Sequence, residues 1–309
     1  MAEKIPYDEF GMFHENASEF GLPFNNQPVV RREFISVSPT RRISALVWGE
    51  TSPEFVFIHG GAQNAHTWDT VMLALQRTGI CVDLPGHGHS DSGAHPQPGS
   101  APLAENAADV AHTIRALAPQ AHTVIGMSLG GLTTLALLRD HPDVVRSAVL
   151  VDITPGVNSE KAKAITDFVN GPATFPSFDE LLERTIQFNP TRSESSLRRG
   201  ILHNTLQKDD GTWVWRYRRD DAPPLPEMEG AKKVLDASSL WDVVSNTSVP
   251  LMLIRGMRPQ SVVSDDDENE LRRRASHALV HRIEDAGHSV QGDTPLELAQ
   301  ILLNFVDQK

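Results

Sequence analysis

One cysteine, Cys81, stands in a chain of 309 residues. No intrachain disulfide and no thiolate metal cage can form, which fits a reducing compartment and argues against thiol redox chemistry. Long apolar runs are missing too. Nothing approaches the ~18–20 residues of a membrane span, and the opening Met1-Ala2-Glu3-Lys4-Ile5-Pro6-Tyr7-Asp8-Glu9-Phe10 lacks the apolar centre of a signal peptide, so a cytoplasmic protein is expected. Positive charge is in short supply: 28 Lys and Arg against 40 Asp and Glu give a net charge of −12. Such a balance favours solubility and speaks against nucleic acid or an anionic membrane as partner. The one stretch that interleaves aromatics with arginines, Trp213-Val214-Trp215-Arg216-Tyr217-Arg218-Arg219, runs straight into Asp220-Asp221 and reads as a packing segment. Low-complexity tracts and fixed-period repeats are also absent.

What is there is an alternation of strand-like and helix-like stretches. Glu33 to Val37 and Ile43 to Trp48 read as strands, and Phe55-Val56-Phe57-Ile58 is continuously apolar, as in strands buried on both faces. A helix over 65–76, a strand at Ile80-Cys81-Val82-Asp83-Leu84, a helix over 103–117, a strand from His122, a helix over 129–139 and a strand at Ala148-Val149-Leu150-Val151-Asp152 follow. The alternation predicts an α/β protein, its mostly parallel central sheet flanked by helices. It lapses between about Thr154 and Asn246, where short helical pieces such as Phe178 to Phe188 sit among scattered Pro, Trp, Phe and Arg. It resumes with Pro250 to Gly256, a helix around 268–276, a strand at 279–284 and a last helix over 295–306. The expected organisation is an N-terminal extension (1–30), a first core part (31–153), an inserted, mainly helical cap (154–246) and a second core part (247–309).

Gly126-Met127-Ser128-Leu129-Gly130 falls at a strand-to-helix junction, the setting in which G-x-S-x-G forms a nucleophile elbow. Small neighbours let the backbone turn sharply and hold the serine up, which marks Ser128 as the nucleophile. A serine hydroxyl needs a base and a pair of donors for the oxyanion. His288, in Glu284-Asp285-Ala286-Gly287-His288-Ser289 after the last strand, is the candidate base. The backbone N–H of Leu129 and that of Gly61, in His59-Gly60-Gly61-Ala62, are the candidate donors. His59 is read as bracing that loop, and His66 and Trp68 as residues of either the pocket mouth or the core.

These motifs together resemble the α/β-hydrolase-fold serine hydrolases, with His59-Gly60-Gly61, Asp83-Leu84-Pro85-Gly86-His87-Gly88-His89-Ser90, Gly126 to Gly131 and Asp285-Ala286-Gly287-His288 in the family's order. The resemblance implies the fold named for that family, a structural turn for His87 and His89 around Asp83, and neither cofactor nor metal. The insertion, with Ser196-Leu197-Arg198-Arg199-Gly200 and Trp213 to Tyr217, is similar to caps of actinobacterial carboxylesterases. One position departs from the family: after Arg255-Gly256, where its acid usually stands, the chain reads Met257-Arg258-Pro259-Gln260-Ser261-Val262-Val263. A subgroup takes the acid from the preceding strand, and Asp152-Ile153-Thr154-Pro155 resembles its Asp-x-x-Pro signature, which makes Asp152 the implied acid. Asp265, Asp266 and Asp267 are its rivals, although Ser264 and Asp267 also read as a helix cap. The implied activity is hydrolysis of small-molecule esters, short to medium in acyl chain, through an acyl-enzyme. Thioester or C–C bond hydrolysis, or ligand reception without turnover, are the alternatives on the same scaffold, and the oligomeric state is left open.

Overall fold

In the computed structural model, residues 4–93, 102–157, 160–217 and 237–307 are described. Strands β1 (Val30–Ser38), β2 (Arg41–Trp48), β3 (Phe55–Ile58), β4 (Gly79–Val82), β5 (Thr123–Met127) and β6 (Ala148–Val151) precede the insertion, β7 (Thr174–Phe175), β8 (Thr205–Gln207) and β9 (Trp213–Trp215) lie in it, and β10 (Leu251–Gly256) and β11 (Leu279–Ile283) follow. The helices are α1 (Phe13–Glu19), α2 (Asp69–Leu75), α3 (Pro102–Leu117), α4 (Leu129–Asp140), α5 (Lys163–Val169), α6 (Phe178–Phe188), α7 (Glu194–Asn204), α8 (Leu240–Asn246), α9 (Asp265–Arg274), α10 (Val290–Asp293) and α11 (Pro295–Asp307).

Eight strands form one sheet in the order β1-β2-β4-β3-β5-β6-β10-β11. Pairing is antiparallel where β2 meets β1 and β4, and parallel from β4 to β11. The pleat sends alternate side chains of the apolar runs to opposite faces. Val56 and Ile58 join Val124, Leu150 and Leu253 under Val110 and Ile114 of α3, Leu135 of α4, Val244 of α8 and Leu271 of α9. Phe55 and Phe57 join Ile125, Val151 and Ile254 under Trp68, Val71 and Met72, Leu298 and Leu302 of α11, and Phe13 of α1. Both faces are therefore dry, which is why the central strands carry no polar alternation.

Three differences from the sequence reading have physical causes. The helix expected over 65–76 is a 3₁₀ turn at Ala65–Trp68 followed by α2, because Asn64 caps the turn by accepting from the His66 N–H. The insertion holds a small sheet, β7-β9-β8, whose strands of two or three residues are too short to give a periodic signal. The N-terminal extension packs on the insertion without any periodic signal: Ile5, Tyr7 and Met12 pack with Phe175, Leu181, Ile201, Trp213 and Trp215 in a third apolar cluster. Trp213 to Trp215 are accordingly packed strand residues; Arg218 and Arg219 lie outside the described residues.

Candidate active site

Ser128 sits between β5 and α4 with φ 51° and ψ −118°, a left-handed backbone that costs a non-glycine residue of the order of 1–3 kcal/mol. The flanking glycine at 130 is required by contact. A Cβ there would stand 2.2 Å from the carbonyl oxygen of Ile58, so α4 starts hard against β3 only without a side chain.

Asp152, the first residue beyond β6, also has positive φ (47°) and is fully buried. Its Oδ1 accepts from the Gly256 N–H at 3.0 Å and the Ser261 hydroxyl at 2.6 Å. Its Oδ2 accepts from the Val262 N–H at 3.0 Å and pairs with His288 Nδ1 at 2.9 Å. The last residue of β10 and the loop after it, which lacks a carboxylate of its own, thus supply three donors to one from the neighbouring strand. An anion held by that many donors is stabilised where it would otherwise be costly to bury. None of the three came from a recognisable motif. Only the missing acid after Gly256 pointed to this loop.

Asp265, Asp266 and Asp267 are engaged elsewhere or exposed. Asp265 pairs with Arg255 at 2.7 Å, Asp266 is exposed, and Asp267 forms a capping box with Ser264 and an ion pair with Lys161 at 2.6 Å. No bond joins any of them to His288.

His288 follows β11 in a loop that packs closely on the end of β10: a Cβ at Gly256 would lie 2.2 Å from the Gly287 carbonyl. With Nδ1 on Asp152, its Nε2 is shielded and has no protein partner among the described residues. His288 and Ser128 line one cavity of about 170 Å³ together with Gly60, Gly61, Gln63 and Gln260. Ile165, Phe168 and Val169 of α5 and Phe188 of α6 form its apolar side.

The loop after β3 is pinned on both sides of Gly61. The Gly60 N–H donates to Gln63 Oε1 at 3.1 Å and the Ala62 N–H to His87 Nε2 at 3.1 Å, while Gly61 has no such acceptor among the described residues. Leu129 is the first residue of α4, where helix N–H groups lack intrahelical partners, and its side chain lies 4.0 Å from where a Gly61 Cβ would be. His59 braces the loop. Its Nε2 accepts from the Leu84 N–H at 2.9 Å, and burial and the neighbouring His87 push its pKa down to about 3, keeping it neutral. Asp83 anchors the turn that carries His87 and His89 by accepting from the Ala65 and His89 N–H groups and from Arg32.

Trp68 is core, whereas His66 lines a second cavity of about 150 Å³. His66, Asp69 and His203 bring potential ligand atoms within 4.8 Å of one another. Their arrangement suits a proton better than a metal. The imidazoles of His66 and His203 stack face to face at 3.8 Å and 9°, so one ion cannot lie in both ring planes. His66 bridges two carboxylates, Nδ1 to Asp69 at 2.9 Å and Nε2 to Glu9 at 3.0 Å. Burial and the Arg32 guanidinium, 3.3 Å from Nε2, would lower its pKa, but Asp69 and Glu9 raise it to about 9, so the ring holds its proton more firmly than a free imidazole.

Comparison with known proteins identifies the family. Residues 53–295 match the family described as alpha/beta hydrolase fold. The chain is 40% identical over 309 residues to Esterase Rv0045c of Mycobacterium tuberculosis, covering 98% of this chain and 97% of that protein. A solved structure of that esterase superposes with a TM-score of 0.82, covering 98% of this chain and all of the other. The sn-1-specific diacylglycerol lipase ABHD11 of Mus musculus is 26% identical, covering 83% of this chain and 81% of that one. The chain belongs to the α/β-hydrolase-fold family. Within it, the chain is esterase-like, a carboxylic ester hydrolase similar to that mycobacterial esterase. No helix among the described residues is long and apolar enough to cross a membrane.

Proposed function

We propose that the chain hydrolyses esters of short to medium acyl chain through an acyl-enzyme on Ser128, with His288 as the proton carrier and Asp152 as its orienting acid. The observation that carries this reading is the His288 ring. One nitrogen is fixed by a fully bonded, buried Asp152, and the other is shielded, without a protein partner, in the cavity that Ser128 lines. In the first half-reaction His288 Nε2 takes the Ser128 proton as Oγ attacks the ester carbonyl, and Asp152 stabilises the imidazolium. The proton then passes to the departing alcohol. In the second, water gives its proton to the same nitrogen, attacks the acyl-serine, and the acid leaves with Ser128 reprotonated.

The carbonyl oxygen becomes an anion in both steps, and the N–H groups of Gly61 and Leu129 are the donors that would meet it. A donor of this kind is worth roughly 2.7–4 kcal/mol of barrier. The segment between β6 and β10 acts as the cap, its α5 and α6 side chains facing the acyl group.

The test is turnover of 4-nitrophenyl acetate, butanoate and hexanoate. Wild type is expected to hydrolyse them, with Ser128→Ala slower by about 10⁴-fold or more in kcat. Equal rates in both proteins would remove Ser128 from the chemistry.

A further inference from the structure

The second cavity adjoins the catalytic one: Ala62, Gln63, Phe168, Asn189 and Ser289 line both. Its wall is unlike that of its neighbour, for it carries two arginines, Arg192 and Arg199, on and just before α7. The two are bonded very differently. Arg199 has a partner on each nitrogen, with Nε on Asn16 and its two terminal nitrogens on Ser195 and on the carboxylate of Glu19. Arg192 has one side-chain bond, to the Ser196 hydroxyl. Its Nε is shielded and has no acceptor, and no carboxylate pairs with it among the described residues.

The nearby acids are occupied. Asp293 accepts from the Gly287 N–H and the Thr191 hydroxyl, and Glu19 accepts from Arg199 and Ser193. Arg199, itself paired with Glu19, lies on the same wall, and burial lowers the Arg192 pKa from its ordinary value although the residue keeps part of its surface exposed. The guanidinium lies flat against chain without a side chain: a Cβ at Gly292 would be 2.9 Å from Arg192 Cζ. Two shielded acceptors on the same wall, Asp69 Oδ1 and Gln291 Oε1, also have no donor. An unpaired cation and two unpaired acceptors are each costly to leave unmet, and a hydrocarbon chain would satisfy none of them.

We propose that this second cavity receives an anionic, hydrogen-bonding arm of the substrate, its carboxylate on Arg192, so that the preferred esters are acidic. The proposal rests on the ester-hydrolase reading and deepens it. Arg192 is then a specificity-determining residue that acts on substrate affinity, while Ser128, His288 and Asp152 perform the same steps for charged and neutral esters.

The experiment uses two substrate series. In one, 4-nitrophenyl half-esters of dicarboxylic acids from succinate to suberate place the carboxylate on the acyl side. In the other, O-acetyl esters of hydroxy acids place it on the alcohol side. Each is compared with its neutral methyl-ester counterpart. Wild type is expected to prefer the acid in one series by about tenfold or more in kcat/KM, through KM, in line with a charge-assisted hydrogen bond. Arg192→Met and Arg192→Gln should both abolish that preference, Arg192→Lys should keep part of it, and Arg198→Met, at an exposed neighbouring position, should leave it intact. Removing a partly buried cation that has no carboxylate partner among the described residues should also leave the thermal midpoint of Arg192→Met at or above that of wild type. The proposal is overturned if neither series shows a preference for the acid, or if the preference survives in Arg192→Met. If wild type hydrolyses neither charged nor neutral esters, the ester-hydrolase reading itself has failed.

Discussion

The catalytic cavity and its neighbour share a wall but differ in how their polar atoms are bonded. At the strand ends, both oxygens of Asp152 are filled by groups from the end of β10 and from two distant loops, and the surplus valence is confined to one nitrogen of His288. In the neighbouring cavity, Arg192 Nε, Asp69 Oδ1 and Gln291 Oε1 are all without partners among the described residues. A site whose own groups orient one another is ready for one kind of step on any ester that enters. Groups left unmatched instead await a particular ligand. On the proposed reading, the first arrangement determines the reaction and the second selects what is brought to it.

The sharpest way to break this contrast is through the orienting acid. Asp152→Asn is expected to lower kcat by about 10⁴-fold, because an amide leaves His288 in the wrong tautomer while preserving shape. Asp265→Asn and Asp267→Asn should stay within a few-fold of wild type, Asp267→Asn losing about 1 kcal/mol of stability through its cap. Steady-state kinetics with denaturant melts separate these outcomes, and the reverse ranking would relocate the acid.

A second prediction probes the rigidity of the elbow. In Gly130→Ala the new methyl meets backbone, the Ile58 and His59 carbonyls at 2.2 and 2.7 Å, so neither partner can rotate away. A loss of about 1–3 kcal/mol or more in unfolding free energy is expected, with a fall in kcat as β3 and α4 separate. An unchanged melt would mean that the close approach is dispensable.

A third prediction, without consequence for kcat, concerns the charge network beside the second cavity. His66 has its pKa raised to about 9 in the folded protein, against an ordinary 6.5 when unfolded, so the stability it contributes is fully present below about pH 6.5 and is lost as pH rises through 9. The difference in unfolding free energy between wild type and His66→Gln should therefore shrink by up to about 3 kcal/mol between pH 6 and pH 10. A difference independent of pH would show that His66 is neutral in its pocket, which would reopen it as a ligand.

The contrast between the cavities also explains what could be read from residues alone. Ser128, His288, Leu129 and Gly61 each stand in a short, contiguous pattern beside a strand, because local backbone geometry holds them in place. Asp152 was legible only through the missing carboxylate between Gly256 and Ser264, together with a strand ending in Asp-x-x-Pro. Its donors, Gly256, Ser261 and Val262, left no pattern, since they approach from more than a hundred positions away. The N-terminal segment gave no sign of its role for the same reason. Glu9 reaches Arg32 and His66, and Tyr7 reaches His203 at 2.9 Å, all long-range contacts without periodicity. Arg192 and Arg199 look alike in sequence, and only the count of their partners tells them apart.

The most direct test of the central claim is a crystal structure of the protein inactivated by a 4-nitrophenyl alkylphosphonate. The account predicts phosphorus bonded to Ser128 Oγ, the phosphoryl oxygen at hydrogen-bond distance, about 3 Å, from the backbone nitrogens of both Gly61 and Leu129, and His288 still joined to Asp152. A label on any other residue, or a phosphoryl oxygen turned away from both amides, would contradict it.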